Sequence, residues 1–406
     1  MPQKKKQPLR VSYAMAVHDE KETARVVKVM NEHRTIIGRE TKEFEASVAK
    51  YFGKKYGIMV NSGSSANLLA VELMQLPEGS EVITPLLTFS TTVAPLVQKG
   101  LVPVFVDVTP GTYQINVDHI EKLITKKTKA LFIPLLLGNV PDLAKLRAIA
   151  KKHKLIFVED SCDTLGATFN GKPSGTYSDI STTSFYGSHI ITAGGTGGMI
   201  LIQTEKWRDH AKVLRGWGRS SSFFSESEDI KVRFGRKIEG IDYDGKFIFD
   251  EIGYNFLPIE IGAAFGNEQI KKLPKFRKVR EANFARLFKF FTKYEEFFIL
   301  PSQDKRVRTQ WLAFPLTIKE NAPFKRLEVM THLEESNIQT RPIFSGNILK
   351  QPAFKHIIHK GQKSYPATDA IMERGFLIGC HHGMTSKHLD RLEEVMTGFL
   401  KQYRTQ

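Results

Sequence analysis

From about Glu40 to Gln203, short apolar runs alternate with amphipathic helical stretches. This alternation limits the fold more than any other feature. YGIMV, EVITPLL, VPVFVDV, ALFIPLL and LIFVED read as strands, and residues 180–186 and 198–203 as two more. Residues 43–52, 117–124 and 142–153, with the stretch after Asn61, read as the helices between them. Strands that are apolar without a break and separated by helices form a parallel sheet covered on both faces, which places the chain in the α/β class. The pattern stops after Trp207. Residues 216–249 are polar, glycine-containing and long, the character of a functional loop. A basic helix over 268–294 leads to a strand in WLAFPLTI and a helix over 324–336. The division drawn from this is an N-terminal segment 1–30, a large domain 31–280 and a small C-terminal α/β domain 281–406.

Several function classes fall away. No run approaches 18 apolar residues and the basic N-terminus has no apolar stretch after it, so neither a membrane span nor a signal peptide is expected, and a cytoplasmic location is. Only Cys162 and Cys380 occur, and no Cys/His spacing suggests a metal site. The formal net charge is +16. The excess is scattered, with Lys4 to Lys6 the only run of three. A nucleic-acid partner is therefore not expected; a basic cleft for a phosphorylated cofactor or a nucleotide-linked substrate accounts for the sign, as does a solvated surface.

Three segments carry chemistry. NSGSSAN (61–67) lies between a strand and a helix. Small residues at a helix start bring backbone N–H groups and the positive helix end to an anion, although the same residues serve as an ordinary cap. EDSCD (159–163) follows the strand LIFV, at the sheet end where ligands bind in open α/β folds. Asp160 there could hold a protonated ring nitrogen or simply cap a turn. SFYGSH (184–189) precedes ITAGGTGG, and could place Ser184, the base His189 and a glycine run around one phosphate ligand.

Taken together, these segments resemble the DegT/DnrJ/EryC1/StrS sugar aminotransferases, and within that family the nucleotide-sugar 3-dehydratases. The likeness extends through VPVFVDV, LLGNVPDLAKLRAIAKKHKL, EDSCDTLGA, RGWGR, DEIGYNFLPIEIGAAFGNEQIKKLP, TRPIFSGN and IGCHHGMT. It implies the fold type I of pyridoxal-phosphate enzymes, with a mostly parallel sheet in the large domain and a smaller C-terminal α/β domain. It also implies phosphate contacts from Gly63, Ser64 and Ser184, Phe89 stacked on the cofactor, Asp160 on the pyridine nitrogen and Asp163 near the ring hydroxyl. Asn255 matches an Asn that reaches the neighbouring subunit's cofactor phosphate, which implies a homodimer with shared sites. Trp217, Arg219 and Arg233 are candidates for nucleotide and diphosphate, and Arg341 and Asn347 for sugar or cofactor. Adjacent His381 and His382 are read as structural.

Two departures from the family pattern are informative. Family aminotransferases have a Lys at position 189 that ties the cofactor as a Schiff base; this chain has His189, and no Lys between Lys172 and Lys206. An imidazole cannot form that stable bond but can move protons at neutral pH. The same exchange occurs in the 3-dehydratases, which hold pyridoxamine phosphate without a covalent link. The resemblance then implies a substrate that is a nucleotide-linked 4-keto-6-deoxy sugar, in deoxysugar biosynthesis for surface polysaccharide such as lipopolysaccharide O-antigen. The second departure concerns iron. The CDP-sugar enzymes hold a [2Fe–2S] cluster with four cysteines, and such clusters need four thiolates. With two cysteines, no cluster and no metal are expected, which leaves glutamate as amino donor, or elimination without net reduction. The alternatives are an aminotransferase-like enzyme using another lysine, and a non-catalytic nucleotide-sugar-binding homologue.

Overall fold

The computed structural model describes residues 9–223 and 230–404; the basic run at residues 4–6 lies outside them. Seven strands, β1 (Tyr56–Val60), β2 (Glu81–Pro85), β3 (Val102–Val106), β4 (Thr128–Pro134), β5 (Ile156–Asp160), β6 (Ile180–Ser184) and β7 (Gly198–Ile202), form one sheet. Their order is β1-β7-β6-β5-β4-β2-β3, extended at the last edge by the short strand Lys360–Gly361. All pairs from β6 to β3 are parallel, whereas β7 runs antiparallel to both β1 and β6. No helix lies between β6 and β7 to carry the chain back over the sheet, so the return is direct. Buried apolar clusters on both faces, around Ile58, Phe132 and Ile200 on one side and Ile83, Leu131 and Phe157 on the other, explain why these strands lack a polar face.

A four-stranded antiparallel sheet follows in the order Phe298–Ile299, Phe314–Ile318, Gly375–Ile378, Thr340–Pro342. Its core takes residues from far along the chain. Val11 pairs with Ile338 at the sheet edge and is buried with Phe314, Phe376 and Leu392. The helix Glu20–Asn31 then docks on the helix Glu260–Thr292 through ion pairs of Glu22 with Lys272 (2.6 Å) and Arg25 with Glu268 (2.8 Å).

Two local expectations change. Residues 117–124 form two 3₁₀ turns, Val117–His119 and Glu121–Leu123, rather than a helix. The Asn116 side chain accepts from Asp118 N and closes the first turn locally, which competes with helix propagation. The helix expected from 268 begins at Glu260, and it runs unbroken through residue 280 to Thr292, so the boundary drawn there falls inside a helix. Within the long loop, Arg236–Ile238 and Ile241–Tyr243 pair as a hairpin.

Candidate active site

Site residues gather at the carboxyl ends of β1, β2, β5 and β6. After β1 the chain turns into the helix Gly63–Leu73. Ser62 accepts from Ser65 N (3.1 Å) and the Ser65 hydroxyl donates to Asn61 Oδ1 (2.6 Å), so these two serines are used as a cap. Ser64 remains exposed beside them. A Cβ on Gly63 would stand 2.6 Å from Ser184 Cβ and 2.8 Å from Cys162 Sγ. The helix start, the end of β6 and the turn after β5 therefore meet at one point that only glycine fits. Gly63→Ala is expected to destabilise the protein by about 1–3 kcal/mol through overpacking, readable by denaturant unfolding. A wild-type value would show that the contact relaxes freely.

Asp160 closes β5 as a buried carboxylate. Its Oδ2 accepts from Asn67 Nδ2 and Thr92 Oγ1, both at 2.8 Å, and its Oδ1 from Cys162 N at 3.2 Å. Asn67 is itself fixed, accepting from Thr182 Oγ1 at 2.6 Å. All three donors are neutral, and among the described residues no cation pairs with this carboxyl. Such a group suits a ligand's protonated ring nitrogen.

His189 sits after β6, edge-on to the exposed Tyr186 ring at 5.9 Å. Its Nε2 is 3.8 Å from Asp163 Oδ1, a contact longer than a hydrogen bond. Its Nδ1 is buried without a hydrogen-bond partner. An unpaired buried ring nitrogen is unfavourable in the free protein and marks a position where a ligand proton can be met. Burial pushes the imidazole down to about 4, opposed by a contact with the Ser184 backbone and joined by a smaller lowering from the Arg280 charge, so it is neutral at physiological pH. Asp163 accepts from Leu137 N (3.1 Å), and burial together with neighbouring Asp160 raises its carboxyl to about 7.

The structure thus brings Gly63, Asp160, Asp163, Ser184 and His189 into one constellation. Phe89, at the head of the helix Ser90–Gln98, is 53% exposed and touches Phe344 edge-on at 6.4 Å, which leaves a ring face free. Asn255, Trp217 and Arg219 line a different cavity of about 1060 Å³ together with Lys212, Arg233 and Arg236. There the Arg219 guanidinium lies 4.2 Å over the Trp217 ring. Arg341 is exposed, bonds Thr340 O (2.6 Å) and lies 5.7 Å from the Tyr13 ring. Asn347 does not open to a ligand: it is buried, and its amide donates to Asp369 (2.7 Å) while its oxygen accepts from Leu349 N. His381 and His382 follow the strand Gly375–Ile378 in a turn. His381 meets Ser12 O, and His382 stacks on Phe276 and accepts from Arg280.

Sequence reasoning missed Asn67, Thr92 and Leu137, which aim the two carboxylates. Asn67 was visible inside NSGSSAN, four residues into a helix whose first turn meets the sheet end. Thr92 and Leu137 act through contacts that no local pattern announces.

Residues 16–397 match the DegT/DnrJ/EryC1/StrS aminotransferase family profile. The chain is 36% identical to lipopolysaccharide biosynthesis protein RfbH of Salmonella typhimurium, over 87% of this chain and 83% of that protein. It is 35% identical to dTDP-4-dehydro-2,6-dideoxy-D-glucose 3-dehydratase of Saccharopolyspora spinosa, over 95% and 85% of the two chains. A crystal structure of GDP-4-keto-6-deoxymannose-3-dehydratase with a trapped PLP-glutamate geminal diamine superposes with a TM-score of 0.85 at 29% identity, covering 95% of this chain and 99% of that one. With its profile match, its relatives and its sheet order in agreement, the chain belongs to the DegT/DnrJ/EryC1/StrS aminotransferase family.

Proposed function

We propose that the protein is a pyridoxamine-phosphate-dependent 3-dehydratase of a nucleotide-linked 4-keto-6-deoxyhexose, with His189 as general base and no iron–sulfur cluster. The observation that carries this reading is an imidazole, with a buried unpartnered Nδ1, beside Asp163 and Ser184 where an aminotransferase needs a lysine. Lys54, the only buried lysine among the described residues, gives its Nζ to the Ser178 and Asp179 carbonyls and is unavailable for that task.

The residues fit a pyridine phosphate. Gly63, Ser64 and Ser184 would hold the phosphate at the helix start, Asp160 the ring nitrogen, Phe89 the ring face, and Asp163 would stand near the ring hydroxyl. When bound, the cofactor supplies an amine for the C4 ketone and a sink for the electron pair that expels the C3 hydroxyl. The protein's part is to orient that amine, to take a proton at a neutral His189 nitrogen, and to hold the Asp160 carboxyl against the ring nitrogen. Arg219, Arg233 and Trp217 would meet nucleotide and diphosphate, since planar guanidinium groups bind phosphate bidentately. Asn255 would reach the partner subunit's phosphate in a homodimer. Two cysteines cannot supply four thiolates, which favours glutamate as the source of the amine.

Dehydration assays with GDP- and CDP-linked 4-keto-6-deoxyhexoses, with and without glutamate, test this. Formation of a 3-deoxy product is expected, with turnover requiring the amino acid. A pyridoxyl-lysine recovered after borohydride reduction would establish the aminotransferase-like alternative. Absence of any bound B6 absorbance would leave the non-catalytic one.

A further inference from the structure

The segment 343–348, which follows the strand Thr340–Pro342, crosses from the smaller sheet to the end of β2. Asn347 bridges Leu87 in antiparallel fashion, and Ile348 N donates to Leu86 O (3.4 Å). The Ser345 hydroxyl donates to Thr88 O. Three consecutive residues leading to Phe89 are therefore gripped by a loop far along the chain. The grip reaches Asp160 as well, because Thr88 Oγ1 donates to Thr92 Oγ1 (2.9 Å), which donates to Asp160 Oδ2 (2.8 Å). One loop thus bears on both groups proposed for the pyridine ring, its face and its nitrogen.

The loop is also fixed at its own end. Gly346 N donates to Ile343 O (3.1 Å), Gln351 Nε2 donates to Ser345 O (2.8 Å), and Asn347 is held between Asp369 and Leu349. Inside this turn Phe344 stands at φ +47, in the left-handed region that a residue with a Cβ rarely adopts. A bulky residue stays there only when its surroundings over-determine it, and such positions cluster at functional sites.

The Phe344 side chain faces the site. It is half-buried and packs both on the core of the smaller sheet and on the cluster of Phe185 and Ile190, the residues that follow Ser184 and His189. Its ring meets Phe89 edge-on, with 77° between the planes and 6.4 Å between centroids, inside the range where aromatic pairs attract. Among the described residues no other ring touches Phe89, which is 53% exposed. Its orientation then depends on this one edge. We propose that Phe344 is a positioning residue of the site: held by the turn 343–348, it sets the Phe89 ring at the angle at which that ring covers the cofactor's face.

The inference rests on the role proposed for Phe89, and one arm of its test needs no cofactor, so that each can fail alone. In full-length protein carrying 4-fluorophenylalanine at position 89, Phe344→Leu is expected to narrow the ¹⁹F line and move it toward the free amino-acid position, the mark of a ring released to solvent. Leucine keeps apolar bulk between the two clusters but offers no ring edge. Phe344→Met, another apolar side chain without a ring, serves as the second variant should the leucine protein not fold. Titration with pyridoxamine phosphate is the other arm. Phe344→Leu is expected to weaken binding by about 2–10-fold, the worth of one aromatic contact. Combined with Phe89→Ala, it is expected to bind no more weakly than Phe89→Ala alone, because the two residues act through one ring. An unchanged line width in a folded variant overturns the proposal, as does a double variant whose loss is the product of the two single ones. Wild-type affinity in Phe89→Ala beside a narrowed line would remove Phe89 from the cofactor's face and leave its dependence on Phe344 standing.

Discussion

Replacing His189 with glutamine is expected to slow dehydration by about 10²–10⁴-fold, the usual worth of a positioned general base, with little change in cofactor affinity. Glutamine keeps a polar side chain of similar reach but cannot hold a proton during the reaction. The phosphate contacts proposed for Gly63 and Ser184 and the ring-nitrogen contact proposed for Asp160 are made by other groups, so binding is expected to be preserved. The wild-type pH profile adds a second expectation. Because burial lowers the imidazole to about 4 from its usual 6.5, the base form persists well below pH 6, and the acid limb of single-turnover rates falls nearer 4 than 6.5. Rapid-quench measurement of the 3-deoxy product, with pyridoxamine phosphate binding followed by absorbance, reads both quantities. A loss under tenfold would remove His189 from the role of base.

Asp160→Asn is expected to cost about 10²–10³-fold in the same single-turnover rate, comparable to losing one preorganised electrostatic contact. In contrast to the histidine change, cofactor affinity is expected to fall with it. Asp160 Oδ2 accepts two hydrogen bonds, from Asn67 and Thr92, and Oδ1 accepts from Cys162 N. An amide turned to keep the first pair presents N–H to Cys162 N; turned the other way, it opposes the Asn67 and Thr92 donors. Either orientation strands a buried donor, an unfavourable change of roughly 1–3 kcal/mol, and both remove the charge that a pyridinium needs. Rates and binding indistinguishable from wild type would mean that the ring nitrogen is met elsewhere.

Much of this architecture could be read along the chain because the information is local. Unbroken apolar runs marked the sheet, small residues after β1 marked a helix start, and the carboxylates of EDSCD fell at the carboxyl end of β5. Position 189 stood out for a different reason, since an imidazole where the family pattern has an amine is read from a single letter, and the structure places it 3.8 Å from Asp163. What stayed hidden depends on distant partners. TRPIFSGN offered Asn347 as a binding group, yet its amide is committed to Asp369 and its oxygen to a turn, an engagement set by tertiary packing. Asn255, offered for the neighbouring subunit's phosphate, and Trp217 and Arg219, offered for nucleotide and diphosphate, border one basic cavity apart from the His189 constellation, a grouping that no local pattern announces. Arg280 gave no signal: nothing in KVREAN distinguishes an arginine destined for the interior from one on the surface.

The helix Glu260–Thr292 has 33 residues, a rod of about 50 Å at 1.5 Å per residue. One end lies near Phe44 and Ala193 beneath the large sheet, and the other carries Leu287, Phe290 and Phe291 into the interior of the smaller one. A beam anchored at both ends ties the two sheets together, and its one interrupted backbone hydrogen bond falls at Pro274, six residues before the boundary drawn from sequence at residue 280.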